Sequence, residues 1–164
     1  MKTLVLYTTT YGHTEAMVEQ LSEKIKGEVD CFNLMQSNQI DLNHYGNLVI
    51  GGSIYMGQVQ KQLKQFCEAN EVEILKHPID IFLSCGIEEN FESHLKSAFT
   101  SNLLSASRTR VSFGGVLNLN KMKFMHKTIT KVMIKSSEKE GKTLPKPNYD
   151  NIERLANSIN NDII

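Results

Sequence analysis

Apolar residues recur along this chain in two rhythms. Mainly apolar stretches of strand length occupy residues 2–7, 48–54, 78–86 and 110–117, continuous at 48–54, and hydroxyls or glycines mark the C-terminal part of each. Residues 28–34 alternate with period two and predict one more strand. Runs that are apolar at every position suit parallel strands covered on both faces. Between them the spacing turns helical. One helix starts near Glu15, with Ala16, Met17, Leu21 and Ile25 sharing a face. A second covers 58–69, with Val59, Leu63 and Phe66 inward, and others cover 91–104 and 149–159. Strand–helix alternation of this kind predicts an α/β fold: a doubly wound five-stranded parallel sheet with helices on both faces and right-handed crossovers.

The most informative junction is the first. The strand at 2–7 runs into Thr8-Thr9-Thr10-Tyr11-Gly12-His13-Thr14 and then directly into a helix. A sharp strand-to-helix turn presents unpaired N–H groups and the positive end of the helix dipole. Threonine hydroxyls add donors and Gly12 permits close backbone approach, so the natural guest is a phosphate. The chain has no G-x-G-x-x-G and no G-x-x-x-x-G-K-[ST], and no lysine in the turn. Neutral donors alone suit the monophosphate of a tightly held cofactor better than a triphosphate awaiting cleavage. The plainer reading is a threonine-rich turn with no ligand.

Composition narrows the class. The 164 residues fit one domain, 1–164, with an adequate core. Net charge is +0 and the pI is near 7.0, so no global field recruits nucleic acid. Three cysteines, Cys31, Cys67 and Cys85, lack C-x-x-C spacing and indicate neither a disulfide framework nor a zinc site. No apolar run reaches the roughly 18–20 residues of a membrane span, and no basic-then-apolar leader precedes the first strand. A cytoplasmic home is the simplest expectation.

In an open parallel sheet, ligands sit at the carboxyl ends of the strands. Three such ends share a chemistry here: 8–14, 51–57 and 84–87, all small, hydroxylic or glycine-bearing, the middle one carrying Tyr55. Together they describe a flat, phosphate-bearing ligand gripped by the first loop and lined by the other two.

At this point the chain resembles the flavodoxin superfamily. The resemblance rests on Thr9-Thr10-Tyr11-Gly12-His13-Thr14, close to that family's S/T-x-T-G-x-T phosphate loop, and on the order of elements. It implies FMN as cofactor, with Thr9, Thr10, Tyr11, Gly12, His13 and Thr14 at the phosphate. Ser53, Ile54, Tyr55, Met56 and Gly57, with Ser84, Cys85 and Gly86, would then flank the isoalloxazine. Tyr11 departs from the usual small hydroxyl residue. A further resemblance lies in Ile50-Gly51-Gly52-Ser53-Ile54-Tyr55-Met56-Gly57 and in Gly114-Gly115-Val116-Leu117 with the basic segment that follows. Both look like the flavodoxin-type, menaquinone-dependent protoporphyrinogen oxidases. That likeness implies oxidation of protoporphyrinogen to protoporphyrin, a six-electron change in haem biosynthesis, with menaquinone as acceptor. The alternatives are a flavodoxin electron carrier and a non-catalytic FMN-binding redox module. Shuttle flavodoxins are usually strongly acidic, which the zero net charge opposes.

The basic segment, an insertion at about 118–136, has its own reading. Lys123, Lys127, Lys131 and Lys135 follow one another by four, while Met122, Met125, Ile129, Val132 and Met133 gather on the other side. Such a helix suits an anionic membrane surface or an acidic partner, peripheral on the inner face of the cell membrane. Alternatively it packs its apolar face on the domain. Cys85 either meets the flavin or is a small buried thiol. Tyr55 either contacts the ring or packs on the following helix. No catalytic acid or base, metal-ligand cluster or G-x-S-x-G elbow is evident.

Overall fold

The computed structural model describes residues 1–37, 39–116, 123–141 and 144–161. Five parallel strands form one sheet: β1 (Thr3–Thr8), β2 (Val29–Asn33), β3 (Asn47–Ser53), β4 (Ile79–Ser84) and β5 (Ser107–Ser112). Their order is β2-β1-β3-β4-β5. The helices are α1 (His13–Lys24), α2 (Lys61–Ala69), α3 (Glu71–Ile74), α4 (Phe91–Ala98), α5 (Ser101–Ala106), α6 (Phe124–Lys139) and α7 (Tyr149–Asn161).

The continuous apolar runs feed two cores, because successive strand side chains point to opposite faces. On one face Val5, Tyr7, Val49, Phe82 and Val111 meet Met17, Val18 and Leu21 of α1 and Ile152, Leu155 and Ile159 of α7. On the other, Leu4, Leu6, Leu48, Ile50, Ile81 and Leu83 meet Leu63, Phe66, Ile74, Leu95 and Leu103. Each such side chain, fully buried, contributes about 1.5–3 kcal/mol. The doubly wound sheet with helices on both faces is therefore the fold that the pattern predicts.

Four elements differ from the pattern. The second helix begins at Lys61 rather than 58, which leaves Val59 outside it. In α1 the buried residues are Thr14, Met17, Val18 and Leu21, and Ala16 faces solvent. The helix expected over 91–104 is two helices, because Phe99 is extended and Thr100 starts α5 by accepting from the Leu103 N–H at 3.3 Å. The last strand begins at Ser107 and ends at Ser112, rather than covering 110–117. Its polar start is held from a distance: Arg108 pairs with the buried Asp80 carboxylate. The register then steps from Ile79 opposite Ser107 to Asp80 opposite Thr109, leaving Arg108 as an extra residue.

After β5 the chain leaves the sheet and returns on a short antiparallel stem. Gly114 pairs with Pro147, Asn148 N–H donates to the Phe113 carbonyl at 3.0 Å, and Gly115 N–H donates to the Lys146 carbonyl at 3.2 Å. Gly114 sits at φ 68°, and a Cβ there would lie 2.1 Å from the Lys146 carbonyl oxygen. The stem carries α6, which extends to Lys139, beyond the expected end of the insertion. Leu117, Lys121 and Met122 lie outside the described residues. Among the described residues no helix is long and apolar enough to cross a membrane.

Candidate functional site

Crossovers from β1 and β3 depart toward opposite edges of the sheet, so a crevice opens between their carboxyl ends. The loops after β1, β3 and β4 meet there. In the first, Gly12 stands at φ 82° as the N-cap of α1, and no side chain caps the helix. The N–H groups of the first turn are thus open to a ligand, with the dipole behind them. Gly12 N–H itself donates to Thr9 Oγ1 at 3.1 Å. Thr10 is exposed, while Thr9, Tyr11 and His13 are half-buried. Burial holds the His13 imidazole below its ordinary pKa of 6.5, which favours the neutral form, and its Nε2 is buried without a protein partner.

Side chains and backbone tie the three loops to one another. Gln60, just before α2, accepts from Thr8 Oγ1 at 2.7 Å and donates through Nε2 to Thr10 Oγ1 and Ser53 Oγ, both at 2.6 Å. Tyr11 meets Tyr55 edge to face, with ring centroids 5.7 Å apart. Thr14 Oγ1 donates to Ser84 Oγ at 3.0 Å, and Ile54 N–H donates to the Ser84 carbonyl at 2.9 Å. The second loop turns tightly at Tyr55-Met56-Gly57-Gln58, closed by hydrogen bonds of 2.8 and 3.1 Å between Tyr55 and Gln58. Met56 takes φ 48° there, unusual for a side chain of its kind, and Gly57 takes φ 80°. Burial, and then the neighbouring Tyr11, push the Tyr55 hydroxyl up to about 12.

The sequence-predicted residues therefore converge, though not all with their side chains on the crevice. Thr14 is fully buried, so its hydroxyl serves as a strut between the first and third loops and what it can offer a ligand is its N–H. Cys85 is buried, donates through Sγ to the Ile87 carbonyl at 3.0 Å, and has its thiol pushed up by that burial. It is the small buried thiol of the two readings. Gly86 is pressed between the ends of the stem: a Cβ on Gly115 would lie 2.8 Å from the Gly86 Cα, and one on Gly86 would lie 3.1 Å from Pro145. Sequence reasoning missed Gln60 altogether. No local signal separates it from Gln58 and Gln62, since its role depends on Thr8, Thr10 and Ser53 arriving from elsewhere.

The lysine row lies on α6. Lys123, Lys131 and Lys135 are exposed and Lys127 is half-buried. The apolar residues are exposed too: Phe124 by 85%, Met125 by 74%, Val132 by 64% and Ile129 by 40%, while Thr130 is buried. The packed-helix alternative thus fails for Met125, Ile129 and Val132, and the Met133 side chain lies outside the described residues.

The donor set fits the phosphate end of a flavin mononucleotide. It offers an uncapped helix start and an exposed threonine, with no lysine or arginine in the 8–14 turn, beside aromatic and peptide surfaces from the other loops. Fold and site together define a doubly wound α/β domain with a crevice at its switch point, beside an uncapped helix start. The chain belongs to the flavodoxin domain family, whose model matches residues 4–144. Among curated proteins none matches it. Solved structures share the fold. A Streptococcus pneumonia flavodoxin is 12% identical, with a TM-score of 0.58 and 99% of each chain covered. A Fusobacterium nucleatum flavodoxin, solved bound to flavin mononucleotide, is 11% identical at a TM-score of 0.53, covering 71% of this chain and 72% of that one. Rubredoxin oxygen:oxidoreductase from Desulfovibrio gigas is 12% identical at 0.54, with 99% of this chain matching 37% of that larger protein.

Proposed function

We propose that this chain is an FMN-dependent oxidoreductase that oxidises protoporphyrinogen to protoporphyrin with menaquinone as acceptor, working against an anionic membrane surface. FMN would sit with its phosphate on Thr9, Thr10, Tyr11, Gly12, His13 and the Thr14 N–H, and its ring between residues 53–57 and 84–86. Bound there, FMN supplies the redox chemistry, while the chain positions it and limits water at its edges. The observation that carries the reading beyond a simple electron carrier is α6. It exposes Phe124, Met125 and Val132 beside a lysine row, on a stem pressed against the loop assigned to the ring. A quinone resides in the bilayer, and a lysine near an anionic surface contributes about 1 kcal/mol. Four of them give reversible attachment.

The experiment is turnover of a porphyrinogen with a menaquinone analogue, with and without anionic vesicles. Quinone-dependent porphyrin formation supports the oxidase. No turnover, together with a redox titration in two well-separated one-electron steps, establishes the carrier instead. Replacing Lys123, Lys127 and Lys131 by glutamate should abolish sedimentation with anionic vesicles while FMN content is retained. If the triple variant still sediments, the membrane part of the reading fails.

A further inference from the structure

We infer that a cleft at the β5 edge of the sheet, bounded by Arg110 and Arg154, holds the carboxylates of the substrate. This rests on the porphyrinogen reading above, since a protoporphyrinogen carries two propionate arms on an apolar macrocycle. β5 is an outermost strand, so side chains from both faces of the sheet can meet around its free edge. Arg110 stands opposite Ile81, on the side of α4 and α5, and its Nη1 donates to the Leu104 carbonyl at 2.8 Å. Arg154 comes from α7, which covers the other face. With Glu88, Phe91, Val111 and Asn151 they line a cleft of about 210 Å³. Both arginines are exposed, and among the described residues neither forms an ion pair. Two guanidinium groups against one glutamate leave the cleft positive.

The base of the stem fixes this cleft. Asn148 Nδ2 donates to Glu88 Oε1 at 3.2 Å, and its Oδ1 accepts the Asn151 N–H at 3.2 Å. Asn151 Nδ2 in turn donates to the Ser112 carbonyl at 2.8 Å, at the end of β5. The loop assigned to the ring leads straight here. Glu88 follows Gly86 by two residues, at most about 7 Å of chain. Ile87 between them is exposed, as are Val116 and Leu144 on the two arms of the stem. An apolar macrocycle resting on these residues beside the flavin can extend its acidic arms toward the arginines. A guanidinium pairs with a carboxylate through two parallel hydrogen bonds, and Arg110 spends only one donor on Leu104. A phosphate dianion concentrates two charges beside Glu88, whereas two carboxylates spread them, one to each arginine.

The test uses the FMN-loaded chain with protoporphyrin, the coloured product, and its dimethyl ester, the uncharged counterpart, both in the same mild detergent. Absorption titration reads the affinity for each. The unmodified chain should bind the acid about 100-fold more tightly than the ester, and rising salt should narrow the gap. Arg110→Gln and Arg154→Gln should each weaken the acid by about 10-fold and leave the ester and the FMN content unchanged. Glu88→Gln should act the other way, tightening the acid by about 3-fold, because the repulsion is gone while the amide oxygen still accepts from Asn148. Mere loss of shape would not tighten binding. Equal affinity for acid and ester, or arginine variants that bind both as the unmodified chain does, overturns the inference and leaves the oxidase reading to its own turnover assay. Displacement of the acid by millimolar inorganic phosphate at matched ionic strength makes the cleft a phosphate site and overturns the carboxylate assignment. Should neither porphyrin bind, the inference falls, and the turnover assay decides whether the substrate reading falls with it. If Arg110→Gln fails to fold, Arg154→Gln and Glu88→Gln decide on the same measurement.

Discussion

The rim of three loops and the insertion that follows β5 solve opposite problems. At the rim, residues from three strands are already bound to one another: Gln60 to Thr8, Thr10 and Ser53, Thr14 to Ser84, Ile54 to Ser84, Tyr11 against Tyr55. Ligand binding there has little ordering left to do, so more of its interaction energy appears as affinity. The insertion rises from a tight stem, where Gly114 lies against Lys146 and Asn148, and Gly115 and Pro145 lie against Gly86. Beyond that base, α6 leaves large apolar side chains in solvent. One region is tied together by its own hydrogen bonds; the other exposes an apolar row, the kind of surface for which a partner is proposed above.

The largest test acts where the two regions join. Gly114→Val places a side chain at φ 68° and against the Lys146 carbonyl, and should destabilise the fold by about 3 kcal/mol through strain and overpacking. Chemical denaturation measures it, and FMN affinity should fall with stability because the stem presses on Gly86. An intact stem with unchanged affinity would separate the two regions mechanically. Next, Gly12→Val forces a β-branched residue to φ 82° at the start of α1 and should weaken FMN by about 100-fold, read by fluorescence titration. Vesicle binding should not change.

Thr14→Ala is smaller and acts from inside. It leaves the buried Ser84 hydroxyl without its partner, at a cost of about 1–2 kcal/mol in unfolding free energy, and loosens FMN through the strut rather than through a lost phosphate contact. Smallest in stability is the pair Met125→Ser and Val132→Ser. Both sites are mostly exposed, so stability should move by no more than about 0.5 kcal/mol. Sedimentation with anionic vesicles should nonetheless weaken measurably. A sizeable loss of stability with unchanged sedimentation would mean that these side chains serve the fold.

These contrasts also explain what the amino-acid pattern made visible. The strand-to-helix turn at 9–14 was legible because strand, turn, glycine and helix are consecutive, so the local pattern is the whole signal. The sheet was legible because runs such as Leu4-Val5-Leu6 are apolar at every position, which is what two covered faces require. The start of β5 was not, since Ser107-Arg108-Thr109 looks like a turn until Asp80 supplies a buried partner for Arg108. Gln60 was invisible for the same reason. On α6 the period predicted a helix but could not say which side meets the domain. The buried residue is Thr130, and the apolar row faces out.

The central claim is that the rim is a prebuilt FMN phosphate site, and titration of the flavin-free chain tests it most directly. The account predicts one FMN per chain, with quenched fluorescence, and riboflavin binding weaker by about 100-fold or more, since it forgoes the charge-assisted hydrogen bonds to the phosphate. Failure to take up FMN, or equal affinity for the two flavins, would contradict it.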